Sequence, residues 1–340
     1  MRETADMTGQ LLARARAGDG DAFAELTEPV RRELQAHCYR ILGSAADAED
    51  MLQETMMAAW RGLDRYEERA SMRTWLHAIA TNKCLNHLRA NRSRAAYPPE
   101  IPLPEPTRSG EPLWLEPYPD ALLGDLPDAT PGPEARHEAR ESVSLAFVTA
   151  LQHLPPRQRA ALVLRDVLGF RAAETAAILS CTVEAANNLL KRARATMASH
   201  LPPGGRASAP LPGSPREHQI TTRFADAFER GDVEAIVALL TDDAWITMPP
   251  LPFEYQGPDT IAHFLDAVAF RHGTRRSRLI PTRANGQPAF GRYLLDPHTP
   301  VSHAHGLIVL TLAGDRISVI TGFTDNSVLP IFGLPRTLPE

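Results

Sequence analysis

From Pro98 to Glu134 prolines recur every few residues, in runs such as PPEIPLPEP, EPLWLEPYPD and DATPGPE. Proline lacks a backbone donor and drives its predecessor toward extended conformations, so neither a regular helix nor a central strand can run through this stretch. The chain on its N-terminal side and the chain on its C-terminal side must therefore fold as separate bodies. Between Pro98 and Glu134 the only basic residue is Arg108, among many Asp and Glu. The segment, taken as residues 98–139, reads as an extended acidic linker with Trp114, Leu115 and Tyr118 as points where it could be tacked down. A second break, PPGGRASAPLPGSP from Pro202 to Pro215, has the Gly, Ser and Pro content of a flexible boundary. With 340 residues the chain has room for two to three domains. The breaks place them at 1–97, 140–203 and 216–335, with 204–215 as the second linker.

In the first of these, DAEDMLQETMMAAWRGL (Asp47–Leu63) repeats apolar residues at helical spacing: Ala48, Met51, Leu52, Thr55, Met56, Ala59, Trp60 and Leu63. Asp47 is read as the N-cap. The opposite face carries Glu49, Asp50, Gln53 and Glu54, either a solvated surface or a docking face for a basic partner. A second helix, Ser71–Arg94, turns Trp75, Leu76, Ile79, Ala80, Leu85 and Leu88 inward. It leaves Arg73, Thr74, His77, Thr81, Asn82, Lys83, Asn86, His87 and Arg89 mainly on its other surfaces, and ends in Arg89, Arg92 and Arg94. Cations for phosphates and amides for base edges make such a surface a nucleic-acid platform.

In the second domain, Pro155 and Pro156 open a helix that Gly169 ends. A short alanine-rich helix runs from Arg171 to Leu179, Ser180–Thr182 form a tight turn, and Thr182 caps a last helix from Val183 to Ala198. This is the spacing of a helix-turn-helix. Val183, Ala186, Leu189, Leu190 and Ala193 would face the core. Glu184, Asn187, Asn188, Lys191, Arg192 and Arg194 would stay outside, the N-terminal half for the major groove and the KRAR end for phosphates.

Taken in order, DAEDMLQETMMAAW, MRTWLHAIATNKCLNHLR, a linker, LPPRQRAALVLRDVLGF, AAETAAIL and NNLLKRAR resemble an extracytoplasmic-function (group IV) RNA polymerase sigma factor over roughly residues 8–200. The resemblance implies that residues 1–97 bind core RNA polymerase and the promoter −10 element and that residues 140–203 bind the −35 element. Asp47, Glu49, Asp50, Gln53 and Glu54 would dock on the polymerase. Arg73, Asn82, Lys83, Asn86 and Arg89 would engage the −10 strand, and Thr182, Glu184, Asn187, Asn188, Lys191, Arg192 and Arg194 the −35 duplex. The linker would lie along polymerase channels that otherwise receive RNA. The turn SCT departs from the Gly-containing turn of many relatives, and the Asn187–Asn188 pair leaves base preference open.

Residues 216–335 begin with two amphipathic helices, followed by the strand-like runs RRSRLIPTRAN, QPAFGRYLL, SHAHGLIVLTLAG and RISVITGFTD. The turn at Gly314-Asp315 joins the last two as a hairpin. FERGDVEAIVALLTDDAWITMPP and YQGPDTIAHFL resemble the SnoaL-like fold, a family of polyketide cyclases, isomerases and non-catalytic ligand modules. The expected architecture is thus multidomain: two all-α domains, the second a helix-turn-helix, and a C-terminal α+β cone. Trp245, Tyr255, Phe290, His303, His305 and Phe323 are the candidate pocket residues. His303 and His305 alternate onto one strand face and are expected to meet there. Arg292, His263 and Asp325 are further polar candidates. The C-terminal tail, GFTDNSVLPIFGLPRTLPE, reads as a clasp.

The net charge of −5 excludes a uniformly basic nucleic-acid binder, leaving local basic stripes to do that work. Three scattered cysteines, Cys38, Cys84 and Cys181, fit neither a disulfide framework nor a metal site. No apolar run is long enough for a membrane span. The expectation is a cytoplasmic, non-enzymatic transcription initiation factor with no cofactor, no metal and no membrane partner. Core RNA polymerase and promoter DNA are its partners, and an anti-sigma factor or a small ligand is allowed as a further one. The C-terminal domain would modulate activity in cis. The alternative is a ligand-binding or cyclase/isomerase-like module tethered to a DNA-binding regulator.

Overall fold

Local capping chemistry sets the boundaries of the first helices. In the computed structural model, which describes residues 2–90, 103–110, 114–123, 142–200 and 209–339, α1 (Arg2–Arg16) leads into α2 (Gly20–Leu42). The Asp19 carboxylate accepts the Ala22 N–H at the start of α2, and Gly43 closes it in the left-handed region at φ 74°. α3 (Ala45–Gly62) starts from Ser44, whose hydroxyl accepts the Asp47 N–H at 3.0 Å. Ser44, not Asp47, is therefore the N-cap; Asp47 sits in the first turn, where the positive end of the helix dipole favours an anion. α4 spans Met72–Ala90. Arg92, Arg94 and most of the two linkers lie outside the described residues.

Two compact units emerge. The first holds both helical domains, and the second holds residues 94–121 together with 202–340. In the first unit Leu34, Ile41, Leu52 and Leu76 are fully buried between α2, α3 and α4. The other half of the unit consists of α5 (Leu145–Gln152), α6 (Pro156–Leu162) with a π turn over Val163–Val167, α7 (Ala172–Ile178) and α8 (Val183–His200). Its core is Leu151, Leu154, Leu162, Val163, Leu190, Ala193 and Met197. Thr182 caps α8 by accepting the Ala185 N–H.

The two helical halves meet along a polar seam. Arg40 reaches the Ser142 carbonyl and hydroxyl at 3.1 and 2.8 Å. Arg73 reaches the Leu168 carbonyl at 3.0 Å and lies 4.4 Å above the Phe170 ring. Arg159, buried, donates to the carbonyls of Ile41, Gln152 and Leu154; burial pulls its guanidinium down to about 10. The sequence separated these domains; the structure packs them against each other.

The second unit is an eight-stranded, mostly antiparallel sheet. Its strands are β1 (Arg108–Ser109), β2 (Leu240–Thr247), β3 (Phe253–Gln256), β4 (Ser277–Ala284), β5 (Gln287–Leu295), β6 (Val301–Ala313), β7 (Arg316–Phe323) and β8 (Thr337–Pro339). The order is β1-β3-β2-β7-β6-β5-β4, with β8 beside β6 and the β2–β7 pair parallel. The helices α9 (Pro215–Arg230), α10 (Val233–Val237) and α11 (Pro258–Phe264) pack their apolar faces on one side of it. Ile220, Phe224, Phe228 and Ile236 from the helices meet Tyr255, Phe290, Leu310 and Ile317 from the sheet in one core. The C-terminal tail, read as a clasp, folds within this unit as a 3-10 turn over Asn326–Phe332 and as β8.

The described residues 103–110 and 114–121 of the proline-rich segment belong to this second unit. β1 pairs antiparallel with β3 at the sheet edge, where proline-rich chain is tolerated because only one side needs donors. The Gly110 N–H donates to the Pro252 carbonyl, the Gln256 N–H to the Thr107 hydroxyl, and the Tyr255 hydroxyl to the Pro104 carbonyl. Farther along, Tyr118 and Asn285 exchange two bonds of 2.8 Å, and Asp120 accepts from the Gly286 N–H and from Arg283. Leu115 and Tyr118 are buried.

Candidate functional site

On α3 the alternation between buried Met51, Leu52, Thr55 and Ala59 and exposed Asp50, Gln53 and Glu54 is that of a helix with one outward acidic face. Glu49 is half-buried and accepts from Gln35 at 2.7 Å and Gln53 at 3.1 Å. Asp47 does not share that face. It is buried, with one carboxylate oxygen 3.5 Å from His87. Trp60, expected on the buried stripe, is exposed near the end of the helix and meets Phe23 edge-on at 5.1 Å.

α4 is covered on two sides, which rotates several residues away from their expected places. Thr74, His77 and Thr81 are buried rather than outward. His37 and Thr81 are hydrogen-bonded at 2.9 Å, and His77 lies 3.1 Å from Glu33. His37, pushed well down by burial and then by the charges of His77, Arg40 and Arg73, is neutral in this polar core. Asn82, Asn86 and Arg89 are exposed, whereas Lys83 is half-buried and pairs with Glu54 at 2.8 Å. Arg73 is committed to the seam and to Glu33 at 2.7 Å.

α8 presents Thr182, Glu184, Asn187, Asn188, Lys191 and Arg192 to solvent over two and a half turns, while Ala186, Leu190 and Ala193 anchor it. Val183, expected in the core, is 43% exposed at the first turn. Arg194 is exposed but tied in a bidentate pair to Asp166 at 2.8 and 2.7 Å. Such planar two-point pairing fixes the guanidinium against the π turn that follows α6.

The C-terminal sheet encloses a cavity of about 860 Å³. Its walls are apolar, among them Ile246, Met248, Phe264, Ile308, Ile320 and Phe323, and Trp114 and Leu115 of the proline-rich segment contribute one side. Of the six candidate pocket residues, His305 and Phe323 line it. Tyr255 and Phe290 belong to the solid core, with rings 4.6 Å from Phe264 and 5.9 Å from Phe224 respectively. Trp245 lies beneath Arg108 at 5.0 Å. His303 is exposed and points toward Asp296.

The two histidines part because β6 slips register there: Arg292 faces Gly306 and Tyr293 faces Ala304, so His305 is the extra residue of a bulge. Gly306 makes the bulge fit, since a Cβ there would stand 1.9 Å from the Phe323 carbonyl oxygen. His305 is pulled down to about 4, first by burial and then by Arg292, Arg275 and Arg271. Arg292 is pulled down to about 9 by burial and by Arg275. Arg292 and Asp325 were legible as pocket candidates, and both line the cavity. Arg271 and Arg275 were missed; the signal was the run RHGTRR, a basic cluster with no acid in it.

Family models match this chain in the same order as its domains: Sigma-70 region 2 over residues 26–94, Sigma-70 region 4 over 144–197, and a SnoaL-like domain over 221–320. It is 42% identical to the ECF RNA polymerase sigma factor SigG of Mycobacterium tuberculosis, over 98% of this chain and 89% of that protein. It is 29% identical to SigJ of the same organism, over 72% of this chain and 73% of that protein. The crystal structure of the M. tuberculosis extracytoplasmic function sigma factor SigJ superposes with a TM-score of 0.57 at 23% identity, covering 92% of this chain and all of that one, and so shares the fold. The helical regions, their order, the appended α+β domain and the near full-length similarity to SigG place the chain among the extracytoplasmic-function RNA polymerase sigma factors, which direct RNA polymerase to promoters.

Proposed function

We propose that this sigma factor docks core RNA polymerase on the outward face of α3, through Glu49, Asp50, Gln53 and Glu54, and acts with it in the cytoplasm. Asn82, Lys83, Asn86 and Arg89 on α4 hold the −10 strand, and α8 reads the −35 duplex with Thr182, Glu184, Asn187, Asn188, Lys191 and Arg192. The observation that carries this reading is the exposed row on α8 behind a capped turn, with its base-facing side chains unencumbered by the fold. Asp47 is left out of the docking set because it faces inward.

Distance then demands a rearrangement. Elements named for positions −10 and −35 lie roughly 25 base pairs, or about 85 Å, apart along the duplex. Two helical domains of this size packed side by side span only about 60 Å. The seam of Arg40, Arg73 and Arg159 must therefore open on the promoter, which also frees Arg73 from Phe170 and Leu168 for the −10 strand. Guanidinium-to-carbonyl contacts suit this, because each released group finds water in exchange and the net loss per bond is modest.

The C-terminal domain is read as a regulatory module in cis rather than a catalyst. Its support is the docking of residues 103–110 and 114–120, from the stretch that connects the helical domains, onto its own sheet. His305, pulled down to about 4 by burial and by Arg292, Arg275 and Arg271, is not itself poised as a base near neutral pH.

The test is run-off transcription with purified core polymerase and the full chain on a promoter library. Transcripts starting at defined new sites are expected. They should fall at least tenfold with Asn187→Ala plus Asn188→Ala, in line with a loss of about 1–3 kcal/mol per base contact. New starts that survive that double substitution would overturn the assignment of α8, and the absence of new starts would overturn the promoter reading.

A further inference from the structure

Arg271, Arg275 and Arg292 all line the C-terminal cavity, and the charge of Arg271 acts on Arg275 and that of Arg275 on Arg292. Arg292 lies deep in the wall. It donates to the Ala269 carbonyl at 2.7 Å and the Ser277 hydroxyl at 3.0 Å, and its guanidinium carbon stands 5.2 Å from the centre of the Phe228 ring. All of these are neutral partners. Arg275 makes one long bond, 3.5 Å, to the Val268 carbonyl. Among the described residues, no ion pair joins Arg271, Arg275 or Arg292 to an acid. His305 lines the same region. Elsewhere this fold pairs its cations readily, as with Arg283 and Glu217 at 2.6 Å, or Arg108 and Glu254 at 2.7 Å. A half-buried cation beside other cations, with only neutral partners, is unfavourable by itself and is relieved by an anion brought from outside.

The rest of the cavity sets the other half of the ligand. Ile246, Met248, Phe264, Ile308 and Ile320 offer a broad apolar wall, and about 860 Å³ is within the range of small-molecule sites. Glu116 and Asp325 also line the cavity. Asp325 caps the following turn through the Ser327 N–H, which orients its carboxylate toward that backbone.

We propose that this cavity binds an amphipathic organic carboxylate, its acid group received by Arg292 with Arg275 and Arg271 and its apolar body lying against Ile246, Phe264 and Ile308. Trp114 and Leu115 form part of the wall, so the ligand touches the segment that joins the two helical domains. The inference deepens the regulatory reading of the C-terminal domain by naming the chemistry of its signal.

The experiment is calorimetric titration of the full chain, without polymerase or DNA, so its failure is separate from failure of the promoter reading. Decanoate and 2-naphthoate are each compared with the corresponding amide, decanamide and 2-naphthamide. At least one acid is expected to bind tenfold or more tightly than its amide. That ratio is expected to fall toward one in Arg292→Met, to fall partly in Arg275→Gln, and to stay unchanged in Arg316→Gln, which lies outside the cavity wall. If Arg292→Met does not fold, the ratio in Arg275→Gln decides. Binding of neither acid, equal binding of acid and amide, or a ratio that survives the cavity substitutions would overturn the proposal.

Discussion

Where the two helical domains meet, most contacts are guanidinium groups set on backbone carbonyls, with one buried ring, Phe170, between Arg73 and His77; where the proline-rich segment meets the C-terminal sheet, they are strand pairing and buried rings. Arg40, Arg73 and Arg159 carry the first. β1 on β3, Leu115, Tyr118 and the Tyr118–Asn285 exchange carry the second. A hydrogen bond to a charged group has a net value of about 1.5–3 kcal/mol after its exchange with water is counted, and phosphates or carboxylates of a partner can take its place. A buried aromatic side chain adds about 1.5–3 kcal/mol that water cannot replace. On the proposed reading the seam is thus the joint suited to opening, because DNA and polymerase can replace its partners, while the docked segment stays in place.

Four substitutions sharpen or break this contrast. Gly306→Ala has the largest expected effect, because its new Cβ meets the Phe323 carbonyl. The C-terminal unit should lose about 4 kcal/mol or more, seen as a lower melting transition for that unit with the helical transition unmoved. A single transition that moves as a whole would break the contrast. Arg159→Ala should cost about 3 kcal/mol, because it strips the Ile41, Gln152 and Leu154 carbonyls of a charged donor. Here only the helical transition should fall in thermal denaturation.

Asn285→Ala removes the side-chain acceptor of the Tyr118 N–H and strains a left-handed residue at φ 56°. A loss of about 2 kcal/mol is expected, with faster amide exchange at Tyr118 as the local readout. Arg108→Ala comes last. Its pair with Glu254 is mostly exposed, so less than about 1 kcal/mol is expected even with the ring of Trp245 beneath it. A larger loss would mean that the edge strand is held by charge rather than by backbone pairing.

Legibility in the sequence obeys the same divide. The buried stripe of α3 and the exposed row of α8 came directly from helical spacing, because each helix has one core face and one wet face. α4 was misread in part because a second domain covers it, and the sequence of a helix does not state how many neighbours it has. Thr74, His77 and Thr81 look polar and are buried with hydrogen bonds made: Thr81 to the His77 carbonyl and to His37, the His77 ring to the Arg73 carbonyl, and Thr74 to the Ser71 hydroxyl. In the C-terminal domain the strands and the Gly314-Asp315 hairpin could be read from period and turn chemistry. The separation of His303 from His305 could not, since a one-residue bulge reverses the alternation that placed them together. Over the described residues 103–110 and 114–123, proline density correctly barred a central strand but was silent on a two-residue edge strand, which needs donors on one side only.

The distance between the two helical domains, before and after polymerase binds, tests the movable joint most directly. Spin labels at exposed Ala90 and Ala195, with Cys181 replaced by Ser, report it by pulsed dipolar spectroscopy. On adding core polymerase and promoter DNA the separation is expected to lengthen by about 25 Å or more, the shortfall between packed domains and spaced promoter elements. An unchanged distance in a complex that starts transcripts would contradict the opening of the seam.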